Sequence, residues 1–537
     1  MALTSPLALA DRLEQAVRAG PDGSAVEDDR TCLSYGEFYN VAHGLALELA
    51  ALPPGSLLLS MDRSVEGVVA YWAAFLAGRR LTPVSPSWPA DRRTALARAV
   101  GAHHTLVAST PAGAAAEIDV SLALDRLRGQ RPRTTARHRA DDGADAYVLF
   151  TSGSTGRPKG VRISRAALTA YVDAATGSAG LGPGDRASHN IDYTFDPSIY
   201  DVFVTLGSGA TLCVPQRGEQ LRPVAFVTRA RLTHWCSVPS LIGLADRLGS
   251  LAPDAMPTLR RSMFLGEALL RSDAQRWRQA APRSVLVNAY GPTELTNTCF
   301  EYRWELGAEL PETGNGTVPI GHANPGQDWG LLDAAGSSSG ELVVRGVQRL
   351  TSYLDTEDNT GRFARRVPLD GSADSGWRPA DVVAEAGESA TVDAGLAYRT
   401  GDLVEVTEQG LVHLGRTDRQ VKLRGQRVEP AEVEHLLRQL LGLERVTVFP
   451  ERQGAQARLV AVVEAASPAG STRETDGQEA YRRADPWQEA PPAGELRGRM
   501  PAHLIPARWV ALSRFPVNAR GKLDLDAIRR MAAVESR

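Results

Sequence analysis

Apolar residues recur at helical spacing over residues 9–19 and 36–51, as in YGEFYNVAHGLALELA, and predict two amphipathic helices. Unbroken apolar runs of β type follow: SLLLS at 56–60, HTLVA at 104–108, AYVLF at 146–150, ATLCVP at 210–215 and SVLVNAY at 284–290. Helical stretches lie between them, such as VEGVVAYWAAFLAG (65–78) and VAFVTRARL (224–232). Strands without polar alternation, separated by helices, predict parallel sheets covered on both faces. After about residue 300 the runs shorten to WGLLD, GELVVRG and LVEVTEQGLVHLG, which suits a smaller β-rich unit. Residues 366–395 are polar and rich in Gly, Asp and Ala, and read as a surface loop. A dense charged stretch, GRTDRQVKLRG (415–425), marks a domain boundary. Beyond it come a helix, PAEVEHLLRQLLG, with Pro430 at a favourable early position, and strands VTVFP and RLVAVVEA. Residues 466–494 lack periodicity and read as a disordered insertion.

A chain of 537 residues needs at least two cores, since single cores stop growing near roughly 250–300 residues. The 43% hydrophobic and 23% charged content is that of a soluble globular protein. Net charge is only −3 and the basic residues are spread, which argues against nucleic-acid or membrane-surface binding. Cys32, Cys213, Cys236 and Cys299 lie too far apart for a zinc or redox motif and read as buried thiols in a reducing cytoplasm. The N-terminal residues lack the long apolar core of a signal peptide, and no window holds the roughly 20 apolar residues of a membrane span. A soluble, cytoplasmic protein is expected.

The first chemistry appears directly after the strand YVLF. TSGSTGRPKG (151–160) offers glycines 153, 156 and 160 for tight turning with exposed N–H groups, hydroxyls on Thr151, Ser152, Ser154 and Thr155, and the mobile charge of Lys159. A flexible polar turn is the plain alternative, but the combination suits a triphosphate. The spacing is not that of the G-x-x-x-x-G-K-[ST] loop.

At this loop the chain resembles the adenylate-forming superfamily of acyl-CoA ligases, luciferases and peptide-synthetase adenylation domains. The likeness recurs in order along nearly the whole chain, in AYGPTE (289–294), YRTGD (398–402), GRTDRQVKLRGQRVEPAEVE (415–434) and NARGKLD (518–524). The wording of QVKLRGQRVEPAEVE is closer to peptide-synthetase adenylation domains than to acyl-CoA ligases. The fold implied is α/β. Residues 1–414 would form a large domain of helix-covered sheets with a small β-barrel-like part. A hinge would follow at 415–419, and then a small mobile α+β domain at 420–537.

The resemblance implies ATP and Mg²⁺ as cofactors. Residues 151–156 and Lys159 would cradle phosphates, with Ala289, Tyr290 and Gly291 at the adenine, where Tyr290 would stack. Asp402 would accept both ribose hydroxyls, and Arg416 would reach the nucleotide. Thr293 would touch the α-phosphate and Glu294 would hold the magnesium, a cation that favours carboxylate and phosphate oxygen. Lys522 is the expected catalytic lysine, an ammonium that stabilises the charge gathering at the α-phosphorus. Arg520 stands where a small polar residue is usual. Asp418 would be the hinge, and Gly425 would lie where a thiol arm enters.

Asp196, in SHNIDYTFDPSIYD, falls where amino-acid-activating members carry an aspartate for the substrate ammonium. The remaining pocket positions carried over are Pro197, Tyr200, Ser237, Met263, Leu265, Ala289, Asn297 and Thr298. None is charged, and three are bulky, so a small to medium neutral amino acid such as alanine, serine or proline is expected. Pro197 departs from the commoner residue there, and a β-amino acid would also satisfy Asp196. The chain ends fifteen residues after Lys522, which leaves no room for a carrier domain. The expectation is a free-standing ligase that loads the phosphopantetheine thiol of a separate carrier protein. An acyl- or aryl-CoA ligase and a silent scaffold are the competing readings. Asp196 argues against the first, and intact Lys159, Glu294, Asp402 and Lys522 argue against the second.

Overall fold

The structure, a computed structural model, describes residues 9–109, 117–130, 142–153, 157–332, 337–368, 375–380, 391–443, 445–453, 456–464, 496–512, 515–516 and 523–533. It divides into two compact units. One comprises Met1–Pro86, Arg93–Thr151 and Lys159–Asp418; the other comprises Ser87–Arg92, Ser152–Pro158 and Arg419–Arg537.

The first unit holds two large sheets. One has nine strands, ordered His322–Ala323, Phe300–Trp304, Val285–Tyr290, Arg261–Leu265, His234–Ser237, Arg186–Ser188, Thr211–Cys213, Ser24–Glu27 and Cys32–Ser34. The other has seven, ordered Ser352–Tyr353, Lys159–Ser164, Asp145–Thr151, Leu81–Pro83, Ser56–Ser60, Ala102–Val107 and Glu117–Asp119. Their central strands pair in parallel, as the unalternated apolar runs predict. The helices begin where local chemistry stops the chain being extended. Ser34 and Glu37 form a reciprocal capping box that opens the helix Tyr35–Ala51. Ser164 caps Arg165–Ala179, and Gly180 ends it in the left-handed conformation. These helices, with Val65–Leu76, bury their apolar faces in one large core shared with the strands.

A third sheet closes on itself. Ser339–Gly346 pairs with Gln327–Leu332 on one side and with Ala397–Thr407 on the other. Phe363–Pro368 and Ser375–Ala380 complete a five-strand ring around Val343, Ala364, Trp377 and Ala397. This is the barrel that the shortened strand runs foreshadow. It also corrects the reading of 366–395 as loop: Phe363–Pro368 and Ser375–Ala380 are antiparallel barrel strands, and Trp377 is buried in the ring. Their polar residues misled because a barrel strand buries only one face. The strand Gly410–Arg416 extends the barrel by a hairpin that sets Arg416 directly opposite Asp402.

In the second unit the strands Val446–Gln453, Gln456–Glu464 and Arg508–Leu512 form a sheet with two apolar faces. Val448, Leu459 and Ala461 pack with Val433 and Leu437 of the helix Pro430–Leu441. Phe449, Val460 and Val462 pack with Ile528 and Ala532 of the helix Leu525–Ala533. A hairpin, Val421–Leu423 with Gln426–Val428, turns through Arg424 and Gly425 at φ 51° and 79°, the backbone of a two-residue primed turn. The expected insertion at 466–494 lies outside the described residues. The four cysteines form no disulfide; three are buried and Cys32 is exposed. Among the described residues, no helix is long and apolar enough to cross a membrane.

Candidate active site

Three adjacent parallel strands, His234–Ser237, Arg261–Leu265 and Val285–Tyr290, end at the same edge of the nine-stranded sheet, where open α/β sheets bind ligands. Register decides which side chains share a face. Cys236 lies beside Met263, Met263 beside Val287, and Leu265 beside Ala289. These five residues join the core cluster that also holds Tyr171 and Tyr200. Trp235, Phe264 and Leu286 turn to the opposite cluster.

Tyr200 opens a short π-helical turn, Tyr200–Val204, four residues after Asp196. π-turns inside helices recur at functional sites. Asp196 is 4% exposed, and its charge acts on the buried hydroxyls of Tyr71 and Tyr147. Burial, first of all causes, pushes the Tyr171, Tyr200 and Cys236 pKa values up, so these groups stay neutral. Tyr171 Oη accepts from Asn297 Nδ2 at 2.6 Å, and Thr298 lies against the same hydroxyl.

Gly291 follows the strand Val285–Tyr290. A Cβ there would stand 2.1 Å from the Asn297 carbonyl oxygen and 2.7 Å from Thr298 Cα. Only glycine lets the two arms of this loop touch. Between them is the 3₁₀ turn Thr293–Leu295, followed by Thr296 and Asn297 at φ 54° and 73°. Glu294 is fully buried, and its Oε1 accepts from Tyr353 Oη at 2.6 Å. Tyr353 Oη also lies 3.1 Å from Tyr398 Oη.

Asp402 is 2% exposed and receives hydrogen bonds at both carboxylate oxygens. Tyr290 Oη donates to Oδ2 at 2.6 Å, Arg416 Nη1 donates to Oδ1 at 2.8 Å, and His413 Nε2 lies 3.2 Å from Oδ1. Arg416 also forks onto both oxygens of Asp418. The Tyr290 ring lies 6.2 Å from both the Phe300 and the His413 ring.

A profile described as AMP-binding enzyme matches residues 13–354, more than half the chain. The chain belongs to the AMP-binding enzyme family. Enzymes of this family use ATP and activate acids as adenylates. Among curated proteins, the isonitrile lipopeptide synthase of Streptomyces coeruleorubidus is 32% identical over 528 residues. The match covers 95% of this chain and 32% of that protein. The FR901469 synthetase of a Dothideomycetidae species is 30% identical over 96% of this chain, which spans 3% of it. Among solved structures, IdnL7 is 30% identical with a TM-score of 0.65, covering 99% of this chain and 100% of that one. The Vibrio cholerae adenylation domain AlmE, solved with glycyl-adenosine-5'-phosphate, is 23% identical with a TM-score of 0.77, covering 100% of this chain and 99% of that one, and shares the fold. The chain is an adenylate-forming domain of the peptide-synthetase adenylation type.

Several sequence expectations for this AMP-binding enzyme change on the structure. Ser237 and Cys236 point to opposite faces of their strand. Ser237 lies on the same strand face as Trp235, is fully buried, and accepts from the Trp235 indole at 2.8 Å. Cys236 is the residue beside Met263. Lys159 is not a mobile charge: it is buried, pairs with Asp358 at 2.7 Å and lies 5.8 Å from the Tyr353 ring. Gly160 does not serve a turn. It lies within the strand Lys159–Ser164, and a Cβ there would meet Leu354 Cβ at 2.9 Å. Thr151 faces Lys159 across the hairpin, and its hydroxyl is buried with no partner among the described residues. Ser152 and Gly153 group with the second unit, where Ser152 Oγ donates to the Arg427 carbonyl at 2.8 Å. Ser154, Thr155, Gly156 and Lys522 lie outside the described residues. The site also includes residues that no motif singles out: Tyr71, Tyr147, Tyr171, Tyr353 and His413. Only their neighbours in space mark them.

Proposed function

We propose that this chain activates a small to medium neutral amino acid as its aminoacyl-adenylate and passes it to the phosphopantetheine thiol of a separate carrier protein. The observation that carries the reading is Asp196, a nearly buried carboxylate close to two neutral tyrosines and four residues before Tyr200. A substrate ammonium pairs with such a carboxylate, and an acid without an amine forgoes that pairing. That AlmE is solved with a glycyl adenylate supports the same chemistry on this fold.

The residues present fit ATP and Mg²⁺. Among the described residues no cluster of three or more His, Cys, Asp and Glu could hold a metal. Glu294 would therefore supply one hard oxygen, with phosphate and water completing the shell, as Mg²⁺ prefers. Bound there, the ion would neutralise phosphate charge. Tyr290 offers a buried aromatic face to adenine, and Asp402 offers an acceptor to the ribose hydroxyls. Asp196 orients the amino acid by its ammonium. One oxygen of the substrate carboxylate attacks the α-phosphorus, the bond to the β-phosphate oxygen breaks, and pyrophosphate leaves. Lys522 offsets the charge that gathers there. In the second half-reaction the thiol sulfur attacks the acyl carbon, AMP departs and the thiol proton is lost. Asp418 is the proposed hinge between these two steps, and Gly425 the proposed point of thiol entry.

The test is substrate-dependent ATP–pyrophosphate exchange across amino acids and aryl acids, on the wild type and on Asp196→Ala. An amino acid should drive exchange. The substitution should lower its kcat/KM by on the order of a hundredfold or more, the equivalent of a broken buried pair. Exchange driven only by acids lacking an amine, or unchanged in Asp196→Ala, would overturn the reading.

A further inference from the structure

We propose that His189 and Asp201 are positioning residues for the activation step: they clasp the loop that carries Asp196 and so aim its carboxylate at the substrate ammonium. The proposal rests on the amino-acid reading above and adds the device that holds Asp196 in place.

Asp196 lies between the strand Arg186–Ser188 and the π-helical turn Tyr200–Val204, in a stretch of turns that belongs to neither. Local bonds shape that stretch. Phe195 N–H donates to the Asp192 carbonyl and Ser198 N–H to the Phe195 carbonyl, both at 3.0 Å. Such bonds fix a turn but not its place in the molecule. His189 and Asp201, twelve residues apart, close its two ends, with Nδ1 3.2 Å from Asp201 Oδ2. The same oxygen accepts from Ile191 N–H at 3.2 Å. On the other side of the ring, Nε2 lies 3.1 Å from Tyr193 Oη, which donates to the Ser64 carbonyl at 3.1 Å. Ser64 caps the helix Val65–Leu76, so the clasp moors the loop to a rigid element. Tyr71, on that helix, donates to the Tyr193 carbonyl at 3.4 Å, and the Asp196 charge acts on its hydroxyl. The helix also leaves room for the clasp: a Cβ on Gly67 would collide with the Tyr193 hydroxyl.

Counting hydrogens shows why this pair suits the task. The Ser64 carbonyl and an ionised Asp201 can only accept. The row Asp201, His189, Tyr193, Ser64 has three contacts and needs three hydrogens, whereas a neutral imidazole and a phenol bring two. The third is a proton shared by His189 and Asp201, which leaves the pair without net charge. Their side chains are 0% and 1% exposed, where an unbalanced charge would be costly. Burial raises the Asp201 pKa, against the opposing pull of His189, and so favours keeping the proton. Asp201 Oδ1 is buried with no partner among the described residues, so the imidazole and the Ile191 N–H are the donors to this carboxyl. Arg63 acts by charge on both Asp201 and Tyr193. The Asp201 charge in turn reaches Tyr200, a proposed pocket residue, and Cys236.

The test is a double-mutant cycle in ATP–pyrophosphate exchange, with the amino acid that the wild type uses best. His189→Leu and His189→Gln are made alone and together with Asp196→Ala. His189→Leu fills similar space without a polar atom. It should raise the KM for the amino acid roughly 10- to 100-fold, as small misplacements of a binding group do, and leave the KM for ATP unchanged. His189→Gln, which offers an N–H to Asp201 and an oxygen to Tyr193, should recover most of that loss. On top of Asp196→Ala neither change should lower kcat/KM further, because His189 acts through Asp196. Should His189→Leu fail to fold, Asp201→Asn, which keeps the shape and loses the charge, takes its place with the same expectation. An unchanged KM for the amino acid, an equal rise for both substrates, no recovery in the glutamine variant, or a full additional loss on top of Asp196→Ala overturns the proposal. If amino acids drive exchange and the cycle is additive, only this proposal fails. If only amine-free acids drive exchange, the amino-acid reading fails as well.

Discussion

The Tyr290 hydroxyl donates to Asp402 Oδ2 at 2.6 Å, tying the end of a sheet strand to the barrel across 112 residues of sequence. The carboxylate assigned to ribose is thus already engaged by tyrosine, arginine and histidine before any nucleotide is considered. Tyr290→Phe keeps the aromatic face and removes one charge-assisted bond. It should lower the thermal midpoint by an amount equivalent to about 1.5–3 kcal/mol. Tyr290→Ala should in addition raise the KM for ATP. A phenylalanine variant with an unshifted midpoint would show that this bond adds nothing to stability.

Gly291 is a steric requirement. The 2.1 Å approach to the Asn297 oxygen means that Gly291→Ala must displace residues 297 and 298. Overpacking of this kind costs about 1–3 kcal/mol. Exchange activity should fall with it, since the displaced residues are two of those proposed to line the pocket. Gly177, inside the helix Arg165–Ala179 with nothing near its missing Cβ, is the control: Gly177→Ala should stabilise by up to about 1 kcal/mol. Similar behaviour of the two variants in activity and melting assays would contradict the geometry.

Cys236 and Ser237 should separate cleanly. Cys236→Leu adds bulk on the Met263 face and should lower kcat/KM for the preferred amino acid by more than about tenfold, as methylene-scale changes in pockets do. Ser237→Ala should leave substrate preference alone and destabilise by about 1–3 kcal/mol, because the Trp235 indole loses its acceptor. The opposite pattern in a substrate panel would put Ser237, and not Cys236, against the substrate.

His234 makes stability depend on pH. Burial, then the Arg261 charge, push its imidazole down to about 4. Asp185, whose Oδ1 is 3.9 Å from His234 Nδ1, already accepts from Thr233 and pairs with Arg260. Between pH 6.5 and 4 the unfolded chain takes up a proton that the folded one refuses. Stability should therefore fall as pH drops through that window, by about 3 kcal/mol, and be flat with respect to this group above it. Melting curves of the wild type and His234→Gln should converge as pH falls from 6.5 to 4. A gap independent of pH would rule the histidine out.

Much of this architecture was legible along the chain. The apolar runs located the strands Ser56–Ser60, Asp145–Thr151 and Val285–Tyr290, and the helical spacing located Tyr35–Ala51 and Pro430–Leu441. Each depends on neighbours within a few residues: a serine and a glutamate that cap a turn, a proline at a helix start, a period of apolar positions. The ordered motifs likewise singled out Asp196, the AYGPTE loop and the Asp402 strand as candidates.

The tertiary structure decided what depends on register and on distant partners. In HWCSV every position is buried, so the sequence carries no alternation to show whether Cys236 or Ser237 shares a face with Met263; pairing with Arg261–Leu265 does. Lys159 became a paired lysine because a turn some 200 residues later brings Asp358 to it, and Asp402 meets Arg416 because a hairpin sets them opposite. Local chain stiffness and periodicity are written in adjacent residues. Which side chains meet is settled only when the sheets and the barrel close.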